Sequence, residues 1–469
     1  MDLNINLFKP DFSNRFNDKR LEKRGLQIVE LLTMNANVSI RRISPDIRTQ
    51  KAVYRFLNNE KVKEDGLIEE LCIRSAKNCH QRHVLCIQDT TEMNYYSQRH
   101  RIKDETGLGR LDCAKAALGF KMHSTLIIDA NNSDILGFSN LQLWHRPLDM
   151  PNRKERHYQS LPIEDKESYK WIKAADKSRE LLADAALITI VEDREGDIYE
   201  QLSSIHSDEV HYVIRSKSNR NNNNNTKIWD TLSKQPDIGS YQINLSTDHR
   251  KNRKKDEITL KVRFAKVTIT KGSHIKNGVK YPKQVTINIV EAYEEKEDGI
   301  NWKLLTTHSI NNFEEAYQII EWYSQRWLIE QVHRLLKSKG FQIEDSELES
   351  GWAIRKLCIL MLSALLRIFQ MNMAYNDPEE GQPIEEVFTD DEIECLKAIN
   401  KEVEGKNEKL KNNNNPAKLK WATWIIARLG GWSGYISQGP PGIILLKRGS
   451  DKFADILRGW KLVKDVGTR

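Results

Sequence analysis

The sequence has little to staple a fold covalently. Its 469 residues include six cysteines, at 72, 79, 86, 113, 358 and 395, and no two are spaced as CxxC. Structural zinc of the finger or ribbon kind is therefore disfavoured, and free buried thiols are expected. Proline is sparse, 12 against 23 glycines, so a proline-rich disordered or collagen-like chain does not fit. No apolar run reaches the ~18 residues of a membrane span. The longest, 357–366, is interrupted by Cys358 and Ser363. Met1-Asp2-Leu3-Asn4 lacks the basic and apolar regions of an export signal, so a cytoplasmic protein without a membrane partner is expected. What is present, 39% apolar and 30% charged residues with 11 Trp, gives ample core material. At about 150 residues per domain, the length corresponds to roughly three domains.

The charge balance is mildly basic, 73 Lys and Arg against 66 acids, which alone points only weakly to nucleic acid. Its distribution says more. Between Thr247 and Lys283 there are 12 basic residues against 3 acids, including the run Arg250-Lys251-Asn252-Arg253-Lys254-Lys255. A solvated loop and a phosphate-facing arm both account for it.

Periodicity divides the chain. Residues 14–65 read as helices, the second over 49–57, with a turn-rich stretch at 39–45 between them. Such a module suits DNA docking or a plain amphipathic bundle equally. Strands are expected at 83–89, 121–129, 134–143, 186–193 and 210–216, with a helix over 167–185. Beyond the five-Asn loop 221–225, residues 238–306 read as a β-rich insertion. Asn311–Gly340 reads as one long helix, capped at Asn311 or Asn312 and stopped at Gly340. A more apolar helix covers 351–375, and 390–469 reads as mostly helical. The fold class is α/β.

Two apolar strands end in an acid, Asp89 and Asp193. Carboxylates there lie on the rim of a sheet, where open α/β folds place their sites, although turn and capping roles are common. In the helix read over 311–340, Tyr323, Arg326, Glu330 and Lys337 fall within an arc of about 60° at 100° per residue. That stripe suits a solvated face. Beside two strand-end acids it also suits a third metal ligand flanked by phosphate-holding cations. Breaking or joining a phosphodiester needs an activated oxygen nucleophile and a stabilised leaving oxygen. Two Mg²⁺ ions about 3.5–4 Å apart supply both, and a few carboxylates suffice to bind Mg²⁺.

The tetrad Tyr323-x2-Arg326-x3-Glu330-x6-Lys337 resembles the Y-R-E-K motif of bacterial DDE transposases of the insertion-sequence-four family. Gln88-Asp89-Thr90-Thr91 resembles the first-Asp motif, and Glu192-Asp193-Arg194-Glu195-Gly196-Asp197 the second. Asp18-x-Arg20-x3-Arg24 and Tyr54-Arg55-Phe56-Leu57 resemble the end-binding N-terminal domain. Ile426-Ala427-Arg428-Leu429-Gly430-Gly431-Trp432 resembles the dimerisation domain.

The resemblance implies a ribonuclease H-like core of mixed sheet and flanking helices over 71–375, with a β-rich insertion at about 220–306. It implies a helical end-binding domain over 1–70 and a mainly helical dimerisation domain over 376–469. Asp89, Asp193 and Glu330 would be catalytic and would bind two Mg²⁺ or Mn²⁺. Tyr323, Arg326 and Lys337 would grip the transposon end, Trp302 would stack on a flipped base, and Arg215 would lie near the active site. Arg20 and Arg24 would contact the terminal repeat, although Leu21 stands where a member of that family has another basic residue. The implied activity is cut-and-paste transposition by a homodimeric synaptic complex on double-stranded DNA: nicking, hairpin formation at the inverted-repeat end, hairpin opening and strand transfer into target DNA. Two other readings are a non-catalytic, transposase-derived DNA-binding regulator and a sugar hydrolase using two carboxylates. The first is disfavoured because all three acids are present, the second by the basic residues around Glu330.

Overall fold

The structure is a computed structural model and describes residues 10–35, 37–112, 117–149, 158, 161–204, 209–223, 226–245, 256–273, 275, 281–337, 340–378, 381–405, 407–435 and 438–467. Cys113 and the basic run 250–255 lie outside them. The other five cysteines are free and buried.

Among the described residues ten strands form one sheet. They are β1 (His83–Asn94), β2 (Gly109–Arg110), β3 (Leu118–Asp129), β4 (Ile135–Trp144), β5 (Leu187–Glu192), β6 (Val210–Arg215), β7 (Gly239–Leu245), β8 (Asp256–Thr270), β9 (Gln284–Tyr293) and β10 (Asn301–Thr306). Their order is β2-β3-β1-β5-β6-β10-β9-β8-β7, with β4 also paired to β3. Within it, β4, β3 and β1 are antiparallel neighbours, and β5 and β6 run parallel to β1. Three antiparallel strands followed by two parallel ones form a ribonuclease H-like core. The insertion strands β7 to β10 are an antiparallel continuation, joined through β10 to β6 with Leu304 opposite Arg215. They lengthen the core sheet instead of standing apart from it.

The helices are α1 (Lys19–Met34), α2 (Ile40–Ile43), α3 (Ile47–Leu57), α4 (Glu64–Ala76), α5 (Tyr169–Leu181), α6 (Tyr199–Ser203), α7 (Ile228–Ser233), α8 (Phe313–Ser324), α9 (Trp327–Lys337), α10 (Gly351–Asn376), α11 (Asp390–Val403), α12 (Leu419–Leu429) and α13 (Ile443–Gly467). Side-chain caps set several starts: Asp46 accepts from the Thr49 N–H at 2.7 Å and Asn312 from that of Glu315 at 2.9 Å.

The single helix read over 311–340 is in fact two. Ser324 donates its hydroxyl to the Glu321 carbonyl at 2.6 Å, a back-bond that bends helices. The next N–H groups then bond three residues back, Gln325 to Trp322 and Arg326 to Tyr323. The chain turns there, and Trp327 starts a new helix.

Helix α10 is the hub of the fold. It is buried on nearly all sides and packs against α1, α3, α4, α9, α12, α13 and β4. It is long and apolar enough to cross a membrane, yet 89% of its most apolar window is buried inside the protein, as befits a core helix. Its polar groups join the flanking modules. Arg355 pairs with Glu64 at 2.6 Å, Lys356 donates to the Asn59 carbonyl at 2.8 Å, and Arg367 reaches Glu392 at 2.9 Å and the Thr33 carbonyl at 3.3 Å.

At the edge of the sheet where β1 and β6 begin, His83 and His308 both hydrogen bond to Thr189 at 2.9 Å, and His211 stacks on His308 at 4.1 Å. Burial pushes His83 down to about 4 and His308 down to about 3. The unfolded chain, with histidines near 6.5, binds more protons below that pH. The stability these groups contribute is therefore full above about pH 6.5 and is lost as pH falls toward 4. Melting temperature should drop over that window, and less steeply in His308→Gln. An unchanged slope in the variant would exclude the histidine cluster as the cause.

Candidate active site

The parallel ladder between β1 and β5 pairs His83 with Leu187 and runs to Ile87 with Val191. Two residues further along stand Asp89 and Asp193: Asp193 lies just past the end of β5, whereas β1 does not end at Asp89, as its apolar run suggested, but continues to Asn94 in its ladder with β3. Alternation places both on the face that carries Leu85, Ile87 and Val191 and packs under α9 and α10. Cys86 and Ile190 point to the opposite face. Glu192 points there too. It is fully buried, accepts from Gln201 at 2.6 Å, and has its carboxyl pushed well up by burial. Of the two adjacent acids, only Asp193 is turned toward the site.

The loop after Asp193 is tightly held. Asp193 accepts from the Glu195 N–H at 2.7 Å, and buried Asp197 pairs with Arg220 at 2.7 Å and accepts from the Lys217 N–H. Gly196 permits this closeness, since a Cβ there would lie 2.1 Å from a Glu192 carboxylate oxygen.

Along the same edge the next strands carry Arg215, at the end of β6, and Trp302, near the start of the reversed β10. With strands about 4.8 Å apart, Asp89, Asp193, Arg215 and Trp302 form a row of two acids, a guanidinium and an indole. Tyr323, at the end of α8, is buried against this row, its ring edge-on to Trp302 with centroids 5.3 Å apart.

Arg326, in the break between α8 and α9, reaches Asp89 at 3.5 Å and pairs with Glu330 one turn further on. Burial pushes the Asp89 carboxyl up to about 7. Arg326 and the Thr90 N–H pull against that, while Asp193 and Glu330 add to it. Burial also raises Asp193. The three acids therefore share one electrostatic neighbourhood, with Arg326 as counter-charge. Among the described residues no three His, Cys, Asp or Glu side chains stand close enough to cage a metal ion as placed, and the Arg326 guanidinium contacts both Asp89 and Glu330. The donor set itself, all carboxylate oxygens, suits Mg²⁺ or Mn²⁺. A divalent charge there would favour the ionised form that burial opposes.

Lys337 donates to the Glu92 carbonyl at 2.6 Å and lies 3.5 Å from Glu344, over the far end of β1. The stripe computed for one helix thus spans a bend: Tyr323 before it, Arg326 in it, Glu330 and Lys337 after it. Arg20 and Arg24 lie apart from these groups on α1, where Arg20 is paired with Asp18 at 3.0 Å and Arg24 donates to Gln27 at 2.5 Å.

One residue escaped the sequence reading. Trp327 follows Arg326, precedes Glu330 by one turn, and is 53% exposed. A large aromatic left in water beside a charged cluster is a contact surface more readily than a core residue. Only its adjacency to Arg326 could have drawn attention to it.

Residues 170–367 match the family model of a transposase DDE domain, and residues 13–62 that of a transposase DNA-binding domain. The chain thus carries both domains. Asp193, Arg215, Trp302, Tyr323, Arg326, Glu330 and Lys337 lie within the first match and Arg20 and Arg24 within the second, while Asp89 lies outside both. Among solved structures, the cryo-EM structure of a piggyBac transposase synaptic complex with hairpin DNA is similar over 74% of this chain, with 10% identity and a TM-score of 0.35. The match spans 65% of that chain, a likeness too distant to bear on function.

Trp327→Ala should leave stability within about 0.5 kcal/mol, as for an exposed position. It should weaken DNA binding by about 1–3 kcal/mol if the indole stacks on a base. Gel-shift titration beside a thermal melt separates the two effects, and unchanged affinity would show that the indole does not touch DNA.

Proposed function

We propose that the protein is a cut-and-paste DNA transposase whose Asp89, Asp193 and Glu330 hold Mg²⁺ or Mn²⁺, two ions per site, against the phosphodiester at a transposon end. The observation that carries this reading is the matched register of Asp89 and Asp193 on one sheet edge, with Glu330 joined to Asp89 through a single guanidinium. Bound cations supply an activated water or hydroxyl nucleophile and stabilise the leaving oxygen. Arg326 neutralises part of the acid cluster and is placed to pair with phosphate oxygens, bidentately where geometry allows. Arg215 and Lys337 extend the positive charge to either side. Trp302, braced by Tyr323, offers a face on which an extruded base stacks.

The insertion-sequence-four resemblance supports the order of steps: nick, hairpin, hairpin opening and strand transfer. It supports a homodimeric synaptic complex in a bacterial cytoplasm, with 1–70 reading the inverted repeat through Arg20 and Arg24, 71–375 performing the chemistry and 376–469 joining the protomers.

The test is cleavage of a duplex carrying the inverted repeat that flanks the gene, with Mg²⁺ or Mn²⁺. Asp193→Asn and Glu330→Gln should each lose at least about 10²-fold in rate, several kcal/mol of transition-state stabilisation, while still shifting the duplex on a gel. Cleavage at the parental rate by either variant would refute the site. Binding without cutting by the parent protein, under either metal, would favour a non-catalytic regulator.

A further inference from the structure

Asp89 is held in place by the sheet. On the far face of β1, His123 lies 2.9 Å from the Thr90 hydroxyl and 3.1 Å from the Gln88 side-chain amide, so the residues on both sides of Asp89 are anchored to β3. Glu330 has no such support of its own. It is half exposed on α9, and the helix lies on the sheet through Ile329, Val332, Leu335 and Leu336. Apolar packing is not directional, so these side chains alone tolerate small slides and rotations of the helix.

Polar contacts remove that freedom: Lys337, at the far end of α9, donates to the Glu92 carbonyl of β1 at 2.6 Å, and a buried contact lies closer to Glu330. His333 and Ser124 are both buried, and His333 Nε2 lies 3.0 Å from Ser124 Oγ. Ser124 is the direct cross-strand partner of Asp89 in the β1–β3 ladder, so the two side chains share a face, their Cβ atoms about 5 Å apart. His333 follows Glu330 by three residues, about 4.5 Å along the helix and on the same side. The result is a closed frame: Asp89 to Ser124 through the ladder, Ser124 to His333 by the hydrogen bond, His333 to Glu330 through less than one helical turn, and Glu330 back to Asp89 through Arg326. Burial, with Lys337 and Arg326 nearby, pushes His333 down to about 3. The ring is therefore neutral, with one donor and one acceptor nitrogen.

We propose that His333 is a positioning residue that, through Ser124, holds Glu330 beside Asp89 so that the two carboxylates act together on a divalent cation, while touching neither the cation nor DNA. This rests on the metal-binding reading above, and the probe is Mn²⁺ alone, titrated calorimetrically into the full-length protein. His333→Leu and Ser124→Ala should each raise the Mn²⁺ dissociation constant by about tenfold, as expected when the partner that orients a ligand is lost. The double variant should lose little more than either single one. His333→Gln, which keeps a hydrogen-bonding amide, should recover most of the affinity. Val332→Ala loosens the same helix without touching the hydrogen bond, so it should lower the melting temperature and leave Mn²⁺ affinity unchanged. Should His333→Leu fail to fold, Ser124→Ala and the Val332 control carry the test. The inference is overturned if parental affinity survives in Ser124→Ala, if His333→Gln falls as far as His333→Leu, or if Val332→Ala costs as much affinity as either. A parent protein that takes up no Mn²⁺ overturns the metal reading and this inference with it. A binding parent with unaffected variants overturns the inference alone.

Discussion

The in-register parallel pairing of β1 with β5 is the constraint on which the site depends. Neither Asp89 nor Asp193 is brought to the edge by a specific side-chain interaction. Each lies two residues beyond the last apolar pair of a ladder whose register is set by the burial of Leu85, Ile87 and Val191 on one face and Cys86 and Ile190 on the other. A one-residue slip would exchange the faces. It would bring buried Glu192 to the site in place of Asp193 and turn Asp193 into the opposite core. Core packing and site geometry are thus enforced by the same hydrophobic pattern.

Gathering carboxylates at a half-buried edge costs free energy, visible in the upward push on Asp89 and Asp193. Arg326 offsets it, and it does so from a break between two helices, not from a helix interior. The Ser324 back-bond to Glu321 ends α8 a turn early, so the chain redirects at Gln325 and Arg326 and starts α9 at Trp327. The guanidinium lies over Asp89, midway along β1, and the turn that follows carries Glu330. With one continuous helix, Tyr323 and Glu330 would be forced onto a single straight stripe. With the bend, Tyr323 braces Trp302 while Glu330 faces Asp89.

Much of this was legible in the sequence because the signals are local. Apolar runs ending in Asp marked β5 and the first half of β1, strand-like runs marked β3 and β4, a Val-, Ile- and Thr-rich stretch marked the β-rich region of β7 to β10 without its separate strands, and Asn311 or Asn312 marked the start of α8. The helix break was not legible, since neither proline nor glycine stands at 324–326 and a serine back-bond leaves no trace in periodicity. The joining of β10 to β6 is a long-range pairing between segments more than 80 residues apart, which no local pattern encodes. The convergence of Glu330 on Asp89 was inferred from chemistry and motif resemblance. Its physical means, Arg326 on one side and the His333 to Ser124 contact on the other, required coordinates.

The buried polar groups of α10 and α9 follow one logic. Helix α10 is apolar all round, and such a helix packs adequately in many orientations. Arg355, Lys356 and Arg367 restrict it to one by reaching Glu64, Asn59, Thr33 and Glu392, groups that belong to the N-terminal module on one side and the C-terminal helices on the other. If such contacts add little net stability, as buried ion pairs often do, their effect is on register. On the proposed function, a DNA-binding module and a carboxylate cluster that act on one duplex need fixed separations more than extra stability. Both the rigid joint at α10 and the frame around Glu330 supply that separation through a few polar contacts set within apolar interfaces.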